Sequence, residues 1–125
     1  MIVLDAGAFL EIERGNRDLM ALLKREHLAG RVPVTHGGVI GQIWRGGRDR
    51  GANVARLLPG VDVRPVDTSL GRRAGLLLGA AETTDVIDAA VVLLAHDGDE
   101  IFTSDATDLV RLAQALGSDV EVVSV

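Results

Sequence analysis

The segment IFTSDATDL, residues 101–109, ends an apolar run on two hydroxyl residues and then carries two aspartates three residues apart. Residues 100–104 predict a short strand, and residues 106–117 predict a helix closed by a glycine. Asp105 and Asp108 therefore follow the carboxyl end of a strand. They either cap the helix that begins here or belong to a binding site, and the positions of the other carboxylates decide between these interpretations.

The rest of the chain alternates short apolar strands with helices. Strands are predicted at residues 2–5, 32–35, 61–67, 100–104 and 120–125. Helices are predicted at residues 16–30, 38–46, 51–60, 68–82, 85–98 and 106–117. Asn16 and either Thr68 or Ser69 are the expected helix caps. This alternation predicts an α/β fold, with a mostly parallel central sheet flanked by helices, in a single domain spanning residues 1–125.

Composition excludes several classes of protein. The net charge of -5 argues against a protein that coats nucleic acid, because such proteins bind phosphates through many basic residues. The absence of cysteine excludes disulfides, thiolate zinc sites and a cysteine nucleophile. The longest apolar run, Ala89–Ala95, is too short for a membrane span. The amino terminus lacks the basic region and cleavage site of a signal peptide, so we expect a cytoplasmic protein with no membrane partner.

Three aspartates are candidates for one shared site. Asp5 ends the first strand and Asp105 follows the strand at residues 100–104, so both are expected at the same edge of a parallel sheet. Asp88 lies early in a helix that is apolar on nearly all sides, and an acid in that position needs a partner.

A purely structural interpretation remains open for each of these acids. Asp85 could cap its helix with Asp88 three residues later, and Asp105 and Asp108 repeat that spacing. Strands also often end on a turn-forming aspartate such as Asp5. Several carboxylates at one edge would nevertheless repel each other unless a cation neutralised them. Oxygen ligands suit Mg²⁺ or Mn²⁺, either of which can promote phosphodiester cleavage.

Four segments, in this order along the chain, resemble those of PIN-domain ribonucleases, specifically the VapC-type toxins of VapBC toxin–antitoxin pairs. They are IVLDAGAFL (2–10), VIGQIWRGG (39–47), DVIDAAVVLLA (85–95) and IFTSDATDL (101–109). The resemblance implies a PIN-like fold, a magnesium-dependent endoribonuclease activity in which Mn²⁺ could substitute, and an RNA substrate. It also implies a homodimer and a VapB-type antitoxin that blocks the acidic site.

The resemblance also implies roles for individual residues. Asp5, Asp88 and Asp105 would hold the metal and act in catalysis, and Asp108 would assist them. Arg45 and Arg48 follow the helix of the second segment closely enough to approach RNA phosphates. A solvated charged face or contact with an acidic antitoxin is an equally good interpretation of these arginines.

Two positions depart from the family pattern. Gly7 stands where a small hydroxyl residue is usual, which removes one hydrogen bond. Gln42 stands at the position of the family glutamate, and its amide can ligate a metal but carries no charge and cannot act as a base. The alternative function is therefore a catalytically degenerate PIN-fold binding module.

The histidines and one apolar stripe are expected to have structural roles. The three histidines, His27, His36 and His96, lack metal-site spacing and are expected at the surface or at helix ends. An apolar stripe of Ile40, Ile43 and Trp44 is expected to pack in the core or at a dimer interface.

Overall fold

The computed structural model describes residues 1–46 and 51–125. Its five strands are β1 (Ile2–Leu4), β2 (Val34–His36), β3 (Asp62–Arg64), β4 (Glu100–Thr103) and β5 (Glu121–Ser124). The α-helices in the described part of the chain are α1 (Ala6–Glu13), α2 (Arg17–Leu28), α3 (Gly37–Ile43), α4 (Ala52–Leu57), α5 (Thr68–Ala81), α6 (Val86–Leu94) and α7 (Thr107–Leu116). A short 3-10 helix, Leu58–Gly60, follows α4.

All five strands are parallel and lie in the order β3-β2-β1-β4-β5. From β1 the chain builds the sheet outward through β2 and β3, and it then returns to the other side of β1 to add β4 and β5. The change of direction lies between β1 and β4, where Leu4 is in register with Phe102. In α/β folds, ligands bind outside the carboxyl ends of the strands at such a point, and this place, called the crevice below, is bordered here by the segments after Leu4 and Thr103.

The central strands are buried on both faces, as expected for a parallel sheet covered by helices. Val3, Leu4 and Ile101 are fully buried, and so is Val91 on α6. The sheet and its covering helices therefore form one core that fixes the ends of β1 and β4. Among the helices of the described residues, none has the length and apolar character needed to cross a membrane.

The structure confirms the α/β class and corrects several details. The second strand begins at Val34, two residues later than predicted. Helix α1 was not predicted, because it starts directly after Asp5 without a side-chain cap. Asp67 caps α5 by accepting a hydrogen bond from the Leu70 amide at 2.8 Å, so the prediction of Thr68 or Ser69 is wrong. Asn16 caps α2 as predicted.

Two predictions of side-chain environment left alternatives open, and the structure narrows both. His36 is fully buried rather than at the surface, although it does lie at a helix end. Trp44 is half exposed and so is not a core residue, whereas Ile40 and Ile43 are partly buried. The apolar stripe of α3 therefore packs inward only through its isoleucines.

Candidate metal centre

Asp5 is a buried carboxylate held at the end of β1. Its backbone amide donates to the Phe102 carbonyl at 3.0 Å, which continues the pairing of β1 with β4. Although Asp5 occupies the cap position of α1, its side chain makes no capping hydrogen bond. Its Oδ1 is buried and has no hydrogen-bond partner. A buried charged oxygen without a partner is costly, so this atom is a candidate ligand for a cation.

Thr103 fixes the orientation of the Asp5 carboxylate. Its hydroxyl lies 2.9 Å from Asp5 Oδ2 and 3.2 Å from the Asp105 carbonyl. A hydroxyl has one proton, and the shorter distance and the charged acceptor favour donation to Asp5. The same oxygen accepts from the Asp105 amide at 3.2 Å. Thr103 thus connects Asp5 to the backbone that carries Asp105.

Asp88 lies in the first turn of α6 and is only partly exposed. Burial is the largest cause that raises the pKa of this carboxyl to about 7, followed by the negative charges of Asp85, Asp5, Asp108 and Asp105. Like charges raise a carboxyl pKa only when they lie near it. Asp5, Asp105 and Asp108 therefore lie within electrostatic range of Asp88, although no three acidic side chains of the described residues form a direct ligand cluster.

The neighbouring acids have mixed roles. Asp85 caps α6, because its Oδ1 accepts from the amides of Ile87 and Asp88 at 2.9 and 3.1 Å. The capping interpretation of Asp85 is therefore correct.

Asp105 is exposed, and its Oδ1 accepts from the Thr107 amide at 3.3 Å. Asp108 is exposed in the first turn of α7. Asp105 thus makes a turn-forming contact through its side chain, and its backbone is linked to Asp5 through the Thr103 hydroxyl.

A divalent cation at these carboxylates would have to keep part of its water shell. Within residues 1–46 and 51–125, no three acidic or histidine side chains lie close enough together to ligate one ion directly. Mg²⁺ keeps several of its waters and often contacts only one or two carboxylates. The unpartnered Oδ1 of Asp5 and the mutual repulsion around Asp88 are both relieved by such an ion. Asp5, Asp88 and Asp105 are the residues that would hold it.

Gln42 lies on α3, the helix that follows β2 at the same edge of the sheet. A Cβ atom built on Gly38 would lie 3.4 Å from Cγ1 of Ile87, so this side of α3 faces the start of α6. Gln42 is one turn after Gly38 and therefore shares that side of the helix. The Gln42 residue is exposed. Its position is compatible with the approach to the acids that the resemblance implies.

Gly7 is required by the close approach of α1 to the end of β4. A Cβ at this position would lie 2.4 Å from the Ser104 amide nitrogen and 2.1 Å from Ser104 Oγ. No side chain fits unless the backbone moves. The family hydroxyl is thus excluded here, and the hydroxyl of Ser104 occupies the space that it would fill.

The two predicted RNA-binding arginines follow α3 in the sequence. Arg45 is exposed, and its Nη1 donates to the carbonyls of Gly41 and Trp44 at 3.1 and 3.0 Å. These contacts help to satisfy the end of α3. Arg48 lies outside the described residues.

The sequence does not predict the contacts that two residues of this region make. Thr103 appeared only as the first hydroxyl of the segment 101–109, and its pairing with Asp5 spans 98 positions. His36 is 51 positions from its partner Ile87. The one local signal for such a contact is a polar residue at the end of an apolar strand.

Asp88→Asn is expected to stabilise the metal-free protein at alkaline pH. The pKa of Asp88 in the folded protein lies above the ordinary value of 3.8, so ionisation of this residue lowers the free energy of unfolding as the pH rises from about 4 to about 7. Above that range its contribution is constant. The shift corresponds to about 4 kcal/mol, which solvent screening of the half-buried carboxyl reduces to about 2 kcal/mol. Asp88→Asn removes this penalty, so its melting temperature at pH 8 in chelator should rise by roughly 5–10 °C.

The same melts at pH 4 should show little difference between Asp88→Asn and the wild-type chain. Asp18→Asn, at an exposed position in α2, is the matched control and should not reproduce the pH dependence. An equal gain at pH 4 and pH 8 would mean that Asp88 does not carry a repelled charge.

Comparison with known proteins identifies the fold. No protein-family model matches the chain, and no curated protein sequence matches it either. Among solved structures, it is similar to a chain in the crystal structure of VapBC2 from Rickettsia felis bound to a DNA fragment from their promoter. The TM-score is 0.72 at 9% sequence identity, and the match covers 100% of this chain and 99% of that chain. The likeness confirms the PIN-like α/β fold.

Proposed function

We propose that this protein is a metal-dependent endoribonuclease of the PIN-domain type and the toxin component of a toxin–antitoxin pair. The observation that carries the proposal is the buried, unpartnered Oδ1 of Asp5, within electrostatic range of Asp88, whose pKa is raised to about 7 by burial and then by neighbouring acids. The fold shared with a chain of VapBC2 supports it, as do the four sequence segments.

The chain's own residues prepare the site for chemistry. Thr103 holds one oxygen of Asp5 and leaves the other free. A bound Mg²⁺ or Mn²⁺ would orient water and stabilise the negative charge that develops on the phosphate. Without a cation the acidic cluster repels RNA, because phosphates carry the same sign of charge. Ionised Asp88 is needed for strong cation binding, so affinity should increase as the pH rises through about 7.

The proposed partners follow from the same assignment. An antitoxin of the VapB type would cover the acidic crevice, and an arginine from it could neutralise the carboxylates through paired hydrogen bonds. We also propose that the chain forms a homodimer. Sedimentation at micromolar concentration tests the dimer, and a strict monomer would contradict it.

RNA cleavage with the purified chain tests the enzyme assignment. We expect cleavage with Mg²⁺ or Mn²⁺ and none in chelator, because the carboxylates alone cannot stabilise a developing negative charge. Cleavage should be slow at low magnesium, since Gln42 supplies no charge. End mapping of the products would then identify the RNA that is cut. Cleavage that persists in chelator would contradict the proposal.

Gln42 favours a second candidate, a PIN-fold module that binds RNA or antitoxin without cutting. The two candidates differ in the same assay. Cation-dependent RNA binding with no cleavage at saturating Mn²⁺ would favour the binding module.

A further inference from the structure

His36 connects three elements at the edge of the crevice. It is the last residue of β2, it precedes α3, and its side chain is fully buried. Its Nδ1 accepts a hydrogen bond from the Gly38 amide at 3.0 Å. Its Nε2 lies 3.0 Å from the Ile87 carbonyl in the first turn of α6. The ring therefore joins the start of α3 to the start of α6.

The two backbone partners fix the tautomer of the ring. An amide N–H can only donate and a carbonyl can only accept, so Nδ1 is the acceptor and Nε2 carries the proton. Burial, the largest influence, lowers the pKa of His36, while the Ile87 carbonyl and the Asp5 charge oppose it. The neutral Nε2–H form satisfies both hydrogen bonds together.

Gly38 provides the space for this arrangement. A Cβ there would lie 2.9 Å from Cε1 of His36 and 3.0 Å from its Nδ1. The ring thus lies closely against the backbone of α3, and any larger residue at position 38 would displace it.

A simple helix cap does not require an imidazole. Serine, threonine, aspartate or asparagine would satisfy the Gly38 amide more simply. The imidazole is long enough for its second nitrogen to contact the Ile87 carbonyl of α6, one residue before Asp88. Thr35, the preceding residue, donates to the Leu4 carbonyl at 2.8 Å, which fixes β2 against β1 just before Asp5. The two adjacent side chains of β2 thus hold both β1 and α6.

We infer that His36 is a positioning residue that sets the start of α6, and with it Asp88, relative to Asp5 and to the helix that carries Gln42. The inference rests on the proposed function only in treating these residues as the cation site. A shifted α6 would separate Asp88 from Asp5, and cation affinity would then fall. Partners that orient ligands typically contribute 10–100-fold to metal affinity, and we expect about 10-fold here because His36 acts through a neighbouring carbonyl.

Two substitutions separate the roles of the ring nitrogens. His36→Asn retains an acceptor near the position of Nδ1, so it can cap α3, but it is too short to reach the Ile87 carbonyl. His36→Gln retains a donor near the position of Nε2, so it can contact Ile87, but it loses the cap. His27→Asn, on the exposed surface of α2, is the matched control.

The first measurement uses metal-free protein. The Ala89 amide donates to the Asp85 carbonyl in the first turn of α6, so its hydrogen exchange reports whether that turn is held. His36→Asn should accelerate this exchange by about 10-fold, and His36→Gln should remain near the wild-type rate. Nitrogen NMR of the wild-type ring should show a protonated Nε2 and an unprotonated Nδ1.

The second measurement is Mn²⁺ binding by titration. The dissociation constant should rise by about 10-fold in His36→Asn and change little in His36→Gln or His27→Asn. Unchanged affinity or unchanged exchange in His36→Asn would overturn the inference. So would a wild-type ring protonated on Nδ1, a result that does not depend on either variant folding.

These outcomes are distinct from failure of the proposed function. A wild-type chain that binds Mn²⁺ but does not cut RNA would refute the ribonuclease and leave the role of His36 intact. An active ribonuclease with normal Mn²⁺ affinity in His36→Asn would refute only the role of His36.

Discussion

Asp5→Asn is expected to reduce metal-dependent RNA cleavage by roughly 10³-fold, to near background. The Thr103 hydroxyl can continue to donate, now to the amide oxygen, which leaves the amide NH₂ group in the place of the unpartnered Oδ1. That group presents hydrogen atoms with partial positive charge to the cation. The substitution thus removes a charge and reverses the polarity of the candidate ligand with almost no change in volume.

Cleavage rates across a magnesium titration, together with thermal melting, test this expectation. Asp18→Asn makes the same chemical change at an exposed position on α2 and should retain wild-type activity. Asp5→Asn should remain folded, because it removes a buried negative charge from an acidic cluster. Wild-type cleavage by a folded Asp5→Asn protein would remove Asp5 from the site and with it the basis of the assignment.

Gln42→Glu is expected to increase cleavage at limiting magnesium by roughly 10–100-fold, by analogy with the loss of polar groups around metal centres. The new carboxylate adds a fourth negative charge on the side of α3 that faces the start of α6. Greater ligand charge strengthens cation binding. In chelator the same charge adds repulsion, so the melting temperature should fall and recover when magnesium is added.

Gln114→Glu, on the exposed surface of α7, is the matched control for this substitution. It should change neither cleavage nor the magnesium dependence of melting. If Gln42→Glu also changes neither, Gln42 lies outside the site, and the correspondence of α3 with the family helix is wrong.

The sequence was sufficient to predict the sheet and the common edge of Asp5 and Asp105. Short apolar runs separated by amphipathic helices predict parallel strands. Acids directly after such strands then lie at the same edge of the sheet, beyond the carboxyl ends of the strands. Helix α1 was missed because eight residues that follow a strand without a cap offer too little periodicity. In α5, local residue preference could not distinguish Asp67 from the two hydroxyl residues that follow it.

The role of His36 could not be predicted for a different reason. Its partners are backbone groups, and every residue except proline offers the same carbonyl and amide, so no residue type marks them. The contact with Ile87 exists only after β2 and α6 have packed. The coupling of Asp88 to Asp5, Asp105 and Asp108 likewise depends on tertiary structure, since Asp5 follows β1 and the other two follow β4.

The close contact between Gly7 and Ser104 makes the two positions epistatic. Introducing serine at position 7 to restore the family pattern would not add a hydroxyl to an otherwise unchanged site. The new Cβ would meet the Ser104 backbone nitrogen at 2.4 Å, so even a prior change of the Ser104 side chain would not make room. Either α1 or the segment that follows Thr103 at the end of β4 would have to move first. Movement of that segment would displace the Asp105 backbone, which contacts Thr103, so restoring the family pattern in this way would also disturb the hydroxyl that orients Asp5.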